Sequence, residues 1–181
     1  MKKFLLIAIV LLALISFFAL RNGSKKEDGG TIQNNVSEFL PDPSSATFLF
    51  EDGPITLSKG RSDINITPDS AIKEEIILTD IISYGDLNND NKNDAAIILV
   101  QSGGGSGVFI YLATYVSGTV TYKGSNTLFL GDRITPKNLI IENGLITVEY
   151  LDRKPNEPLA AEPTVPTTRT FEYRSGTLSE K

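Results

Sequence analysis

The sequence predicts an all-β domain, a single antiparallel meander, sandwich or strongly curved sheet, preceded by an N-terminal membrane helix. Three observations predict it. Four x-Gly turn signals lie between runs whose apolar residues match across the turn. Two near-continuous apolar runs rich in β-branched residues, 76–78 and 95–100, read as central strands covered on both faces. After residue 20 no segment shows a convincing amphipathic helical period.

The membrane element comes first in the chain. Met1-Lys2-Lys3 precedes an apolar run from Phe4 to Leu20 in which Ser16 is the only polar residue. As a helix this run rises about 26 Å, close to a hydrocarbon core of ~30 Å, and it exceeds the ~7–15 residues of a typical signal h-region. A small-x-small cleavage site is missing: cleavage after Ala19 would place Phe17 where a small residue is needed, and cleavage after Ser16 would do the same with Leu14. The pattern favours an uncleaved single-pass anchor, residues 1–20, in the cell membrane with the β domain facing outside. The alternative is a secreted protein whose signal has been removed.

Residues 21–46 read as a flexible tether, polar and glycine-bearing in RNGSKKEDGG and interrupted by Pro41 and Pro43. The extracytoplasmic β domain is then 47–181. Its first hairpin places an Asp52-Gly53 turn between TFLF and ITL, pairing Phe50 with Ile55 and Phe48 with Leu57. Ser117-Gly118 pairs Tyr115 with Val120. Asn143-Gly144, the favoured type I′ pair because both positions need φ > 0, matches Ile141 with Ile146 and Leu139 with Val148. Tyr150 continues that face, while Glu142, Thr147 and Glu149 take the other. Ser175-Gly176 pairs Tyr173 with Leu178.

Composition removes whole classes of chemistry. The 181 residues include no Cys, His or Trp, so disulfides, thiolate nucleophiles, zinc ribbons, Ser-His-Asp triads and HExxH sites are all excluded. Residues 31–181 carry 12 basic and 20 acidic side chains, a charge of −8. That balance disfavours nucleic acid and anionic headgroups and suits a cation.

One motif carries chemistry. Between the two apolar runs lies GDLNNDNKNDA, with side-chain oxygens on Asp86, Asn88, Asp90 and Asp94 at positions 1, 3, 5 and 9 of a loop. Lys92, at position 7, offers its backbone carbonyl. Hard cations such as Ca²⁺ take six to eight oxygens of these kinds, and three carboxylates within nine residues repel one another unless a cation lies among them. Asn91 holds the sixth position, where a sharp turn wants positive φ. The EF-hand signature is not met: position 12 is Ile97, inside a strand, where a bidentate Glu belongs. The alternative is a polar turn held by Asx hydrogen bonds without metal.

GDLNNDNKNDAAIILV, residues 85–100, resembles the GDxNGDGxxD-plus-strand unit of FG-GAP and VCBS-type repeats. The resemblance implies calcium bound by Asp86, Asn88, Asp90, Lys92 and Asp94. This chain has one copy, so the multi-bladed propeller of those repeats does not follow. A longer resemblance, to exported bacterial proteins with a single such loop, adds SGGGSGVFIYLA (102–113), LGDRI (130–134) and YLDRKPNEPLAAEPTV (150–165). Some of those proteins carry a Cys pair near the position of Ala160-Ala161, which this chain lacks. The resemblance implies export and no particular activity.

The remaining signals are weaker. SGGGSG at 102–107 lacks the Gly-Lys-Ser/Thr ending of a phosphate loop and reads as a hairpin loop. Asp132-Arg133 and Asp152-Arg153-Lys154 read as structural pairing. Asn22, Asn35 and Asn65 begin N-x-Ser/Thr triplets. The functional expectation is a calcium-binding β domain with a structural or interaction role, engaging a protein or envelope component. Two other classes stay open: an exported carboxylate-based hydrolase, for instance glycan-acting, and a partner-binding domain that uses an open sheet edge.

Overall fold

The computed structural model describes residues 39–65 and 73–181. The expected membrane helix 4–20, most of the tether, and the Asn22 and Asn35 triplets lie outside the described residues. Among the described residues no helix is long and apolar enough to cross a membrane.

The domain is all-β. Its strands are β1 Thr47–Phe50, β2 Gly53–Thr56, β3 Arg61–Asn65, β4 Lys73–Gly85, β5 Asp94–Gly103 and β6 Val108–Val116. They continue with β7 Lys123–Gly124, β8 Leu128–Asp132, β9 Thr135–Glu142, β10 Leu145–Asp152, β11 Val165–Arg174 and β12 Thr177–Glu180. All the ladders between these strands are antiparallel.

The strands divide over three sheets. The largest runs β3-β4-β5-β6-β7 with β8 also paired to β6; the second runs β12-β11-β10-β9; β1 and β2 form a hairpin of their own. The side-chain period of β5 explains the layering. Ala96 and Ile98 face a core shared with Leu139, Ile146, Val148, Phe171 and Leu178 of the four-stranded sheet. Ala95, Ile97 and Leu99 face the opposite way, into a core closed by Phe48 and Phe50 of β1 together with Leu57. All five residues 95–99 are fully buried, as an apolar run between two covering layers requires. The two larger sheets meet where β4 approaches β9: Ile141 N donates to Ser83 Oγ at 3.1 Å. A Cβ on Gly85 would lie 2.7 Å from Ile141 Cγ2, so only glycine permits that approach.

Two hairpins have the expected register. Ile141 pairs with Ile146 and Leu139 with Val148, with Asn143 at φ 53° and Gly144 at φ 73°. Tyr173 pairs with Leu178 across Ser175 at φ 50° and Gly176 at φ 87°.

Two others differ. The first hairpin turns at Glu51-Asp52, so Phe50 pairs with Gly53 and Phe48 with Ile55. This is a slip of two residues from the expected pairing, which leaves every side chain on its expected face. The Ser117-Gly118 turn does not form. Tyr115 pairs with Gly124 and Val116 with Lys123, and Val120, expected opposite Tyr115, is 94% exposed. The Ser117 amide is held by the Asp94 carboxylate, so the chain turns later, through a Gly118 N to Thr121 O bond of 3.0 Å.

The ordered domain also begins earlier than Thr47. Pro43–Ser45 form a 3₁₀ turn capped by Asp42, Pro41 and Pro43 are buried, and the Phe39 ring lies 6.0 Å from that of Tyr122. Proline fixes the turn here instead of preventing structure, because φ near −65° suits the first position of a helical turn.

Candidate functional site

Residues 86–93 connect β4 to β5 at the junction of the two larger sheets. The loop curls around the carboxylate of Asp86. Asp86 Oδ1 accepts from the amides of Asn88 at 3.2 Å, Asn89 at 2.6 Å and Asp90 at 3.2 Å, and Oδ2 accepts from Asn91 at 2.9 Å. Asn89 and Asn91 take φ of 62° and 60°. Asparagine tolerates that region better than most residues, and the value at Asn91 is the sharp turn anticipated at position 6.

Each expected ligand is placed by a different contact. Asn88 Oδ1 accepts from Asp90 N at 3.1 Å, while its Nδ2 donates to Ser117 O at 2.9 Å. Asp90 Oδ1 accepts from Lys92 N at 3.0 Å. Asp90 Oδ2 accepts from Ser117 Oγ at 2.6 Å and lies 3.3 Å from Lys92 Nζ. Lys92 thus brings an ammonium group to the loop as well as a carbonyl. Asp94 is fully buried; its Oδ2 accepts from Leu87 N and its Oδ1 from Ser117 N, both at 2.8 Å.

The two ends of the motif differ electrostatically. The Ser117 hydroxyl, and then the Lys92 amide and ammonium, hold the Asp90 carboxyl below its usual range. Burial pushes the Asp94 carboxyl up, opposed by the amides of Ser117 and Leu87. Asp94 has no cationic partner among the described residues.

Ser117, expected in a tight hairpin turn, instead contacts three of the five expected ligands, through its amide, carbonyl and hydroxyl. No local pattern marks it, since it lies 23 residues beyond Asp94 and reaches the loop only because β5 and β6 are neighbours.

Among the described residues no three acidic side chains converge on a single point as a closed metal cage. The side-chain oxygens are turned to backbone N–H groups, as an Asx-held loop requires. A carboxylate accepts at about four sites, so Asp90 with three bonds and Asp94 with two keep room for an ion, whereas four amides fill that count on Asp86. With the Asn88 amide oxygen and the Lys92 carbonyl, the donor set is all oxygen, the chemistry of a hard cation.

The other charged clusters are structural. Arg153 donates to the carbonyls of Ala161 at 2.7 Å and of Asp132 and Arg133 at 3.0 Å each. Asp132 Oδ1 accepts from Val108 N at 3.0 Å. Gly104–Gly107 form the loop between β5 and β6, and Glu142 and Glu149 are exposed.

Comparison with protein-family models, with curated proteins and with solved structures returns no match.

Proposed function

We propose that residues 86–94 bind one Ca²⁺ through Asp86, Asn88, Asp90, Asp94 and the Lys92 carbonyl. The domain that carries the loop would act outside the cell, held to the membrane by residues 4–20, in a structural or interaction role. One observation supports the ion above all. Three carboxylates share one tight loop against a single ammonium, and the most buried of them, Asp94, faces no cation among the described residues. An ion would offset that like-charge and burial cost. The larger, adaptable Ca²⁺ suits a loop of many oxygens better than Mg²⁺, which demands a tight octahedron and keeps its waters. Partial exposure and the missing position-12 Glu point to weak binding, on the order of 10⁻⁴ M as in extracellular modules.

Thermal melts of the full-length chain in calcium, magnesium or chelator test the site. Calcium at ten times Kd should stabilise wild type by roughly 1.4 kcal/mol, and Asp90→Ala should abolish the gain. If both proteins respond identically, the loop is a polar turn alone. Intact-mass analysis of protein extracted from membranes tests the anchor: loss of roughly the first 19–23 residues would make the run a cleaved signal.

A further inference from the structure

A pocket of about 710 Å³ opens at the other end of the β4–β5 hairpin. From Asp94 to Gln101, which lines the pocket, β5 advances roughly 23 Å at ~3.3 Å per residue, so this is not the loop site seen from another side. Its apolar wall is a chain of rings in edge contact. Phe50 and Tyr111 lie 5.2 Å apart, Tyr111 and Phe129 5.6 Å, and Phe129 and Phe109 6.2 Å. Phe129 is 50% exposed and Phe109 38%, a large apolar surface left open beside a packed core.

The polar wall has one sign. Glu51 and Asp52 come from the β1–β2 turn and Glu74 from the start of β4. Among the described residues no Lys or Arg lines the pocket, and none of these three carboxylates takes part in an ion pair. Gln101 Nε2 donates to Glu74 Oε1, fixing that carboxylate against the wall. Gln101 Oε1 is buried with no donor of its own among the described residues. Burial, then the charges of Glu74, Asp52 and Glu51, push the Tyr111 phenol above its usual range, so all three carboxylates act on the same ring. The wall is rich in acceptors and poor in cations. An anion is repelled, and a saccharide, which presents acceptors as well as donors, is only half matched.

We propose that this pocket binds an alkylammonium ion. Its apolar chain would lie along Phe109, Tyr111 and Phe129, and its –NH₃⁺ group would sit among Glu51, Asp52 and Glu74. The aromatic wall removes the apolar chain from water, and three carboxylates supply charge-assisted acceptors to the ammonium group. The same chemistry is offered by a free amine and by a lysine side chain.

The test follows the ¹H–¹³C ring signals of Phe and Tyr in the full-length chain, kept soluble in a non-ionic detergent. The titrants are n-butylammonium chloride, n-butanol as the neutral control, N-acetyl-lysine amide and cellobiose. The proposal expects saturable shifts of the Phe109, Tyr111 and Phe129 signals with n-butylammonium and none with butanol at equal concentration. Glu74→Gln should weaken binding about tenfold, a loss of one charge-assisted contact. Asp52→Asn, on an exposed turn where folding is not at risk, should weaken it as well. N-acetyl-lysine amide binding as tightly as n-butylammonium assigns the ligand to a protein side chain, and weaker binding assigns it to a free amine. Equal shifts with butanol, wild-type affinity in both variants, or tighter saturation by cellobiose would overturn the proposal.

Discussion

Asp94 Oδ1 accepts the Ser117 amide hydrogen at 2.8 Å, joining the first residue of β5 to the residue that follows β6. The bond fixes the loop 86–93 to the neighbouring hairpin, and it makes one buried carboxylate the acceptor for two buried amides, those of Ser117 and Leu87.

Removing that acceptor should therefore cost more than a surface change. Asp94→Ala strands two N–H groups, each worth about 1–3 kcal/mol when left unsatisfied, so a loss of ~2–6 kcal/mol is expected. Asp94→Asn keeps one acceptor and should fall between wild type and the alanine variant. Urea unfolding at neutral pH in the presence of chelator measures both. A loss below ~0.5 kcal/mol for Asp94→Ala, the range of an ordinary surface substitution, would mean that these amides find other partners.

Asn143→Val tests the β9–β10 turn. Asn143 sits at φ 53°, a region that a β-branched residue enters at a cost of ~1–3 kcal/mol. Asn143→Gly should be close to neutral, because glycine enters the region freely. Thermal melts of the two variants should separate clearly; matching curves would rule out backbone strain as the turn's contribution.

The same turn shows what the sequence makes legible. Asn143-Gly144 and Ser175-Gly176 carry their register locally, in residues that accept positive φ, and both hairpins form as expected. The Asp52-Gly53 signal was locally ambiguous. Gly53 enters β2 at φ 130° while Glu51-Asp52 make the turn, and a two-residue slip leaves the apolar faces unchanged. Ser117-Gly118 was legible only as a turn, since what holds Ser117 is Asp94, Asp90 and Asn88, a contact made through strand neighbours far apart in sequence. The spacing of Asp86, Asn88, Asp90 and Asp94 could be read directly, but the Ser117 hydroxyl beside them could not. The aromatic pocket carries no local signal for a related reason: it gathers residues from β1 to β6 and from β8, each of which looks like an ordinary strand on its own.

Arg153 gives a third prediction. Its guanidinium donates to three backbone carbonyls, on Asp132, Arg133 and Ala161, and so ties the connection between β10 and β11 to the end of β8. Arg153→Met keeps the apolar stem and removes the donors, and should destabilise by about 2–3 kcal/mol. Arg153→Lys should not restore stability, because one ammonium cannot match a planar fork of donors. Hydrogen exchange should quicken at the Ala161 amide, which donates to Pro158 O. Unchanged exchange there would show that the proline-rich connection holds itself.

Acid should selectively weaken the C-terminal strand. Arg169 Nε and Nη2 donate to the two oxygens of Glu180 at 2.7 Å each, and these bonds hold the Glu180 carboxyl below its usual range. A carboxyl lowered in the folded state contributes stability above its unfolded pKa of ~4.3 and loses it as pH falls through the lower folded value. Wild type should therefore melt above Glu180→Gln at neutral pH, with the gap closing as acid takes the carboxylate through its lowered folded value. A gap that persists in acid would assign the difference to the uncharged hydrogen bonding of this side chain and not to its charge.

Ser117→Ala separates the loop's own geometry from the hydroxyl that supports it. The side chain donates to Asp90 Oδ2 at 2.6 Å and accepts from Asn88 Nδ2 at 3.2 Å, while its backbone bonds to Asp94 and Asn88 survive the substitution. The hydroxyl is the largest cause holding the Asp90 carboxyl low, so its removal should raise the Asp90 titration midpoint towards the usual range, read from the ¹³C carboxyl shift in chelator. A lowered carboxyl stabilises the fold above its unfolded pKa and stops doing so as pH falls through the folded one. Ser117→Ala should therefore cost stability at neutral pH and progressively less in acid. If the loop takes Ca²⁺ as proposed, the variant should also bind it more weakly, because Asp90 loses the contact that orients it. An unmoved Asp90 titration would show that Lys92 alone sets that carboxylate and that Ser117 serves the loop only through its backbone.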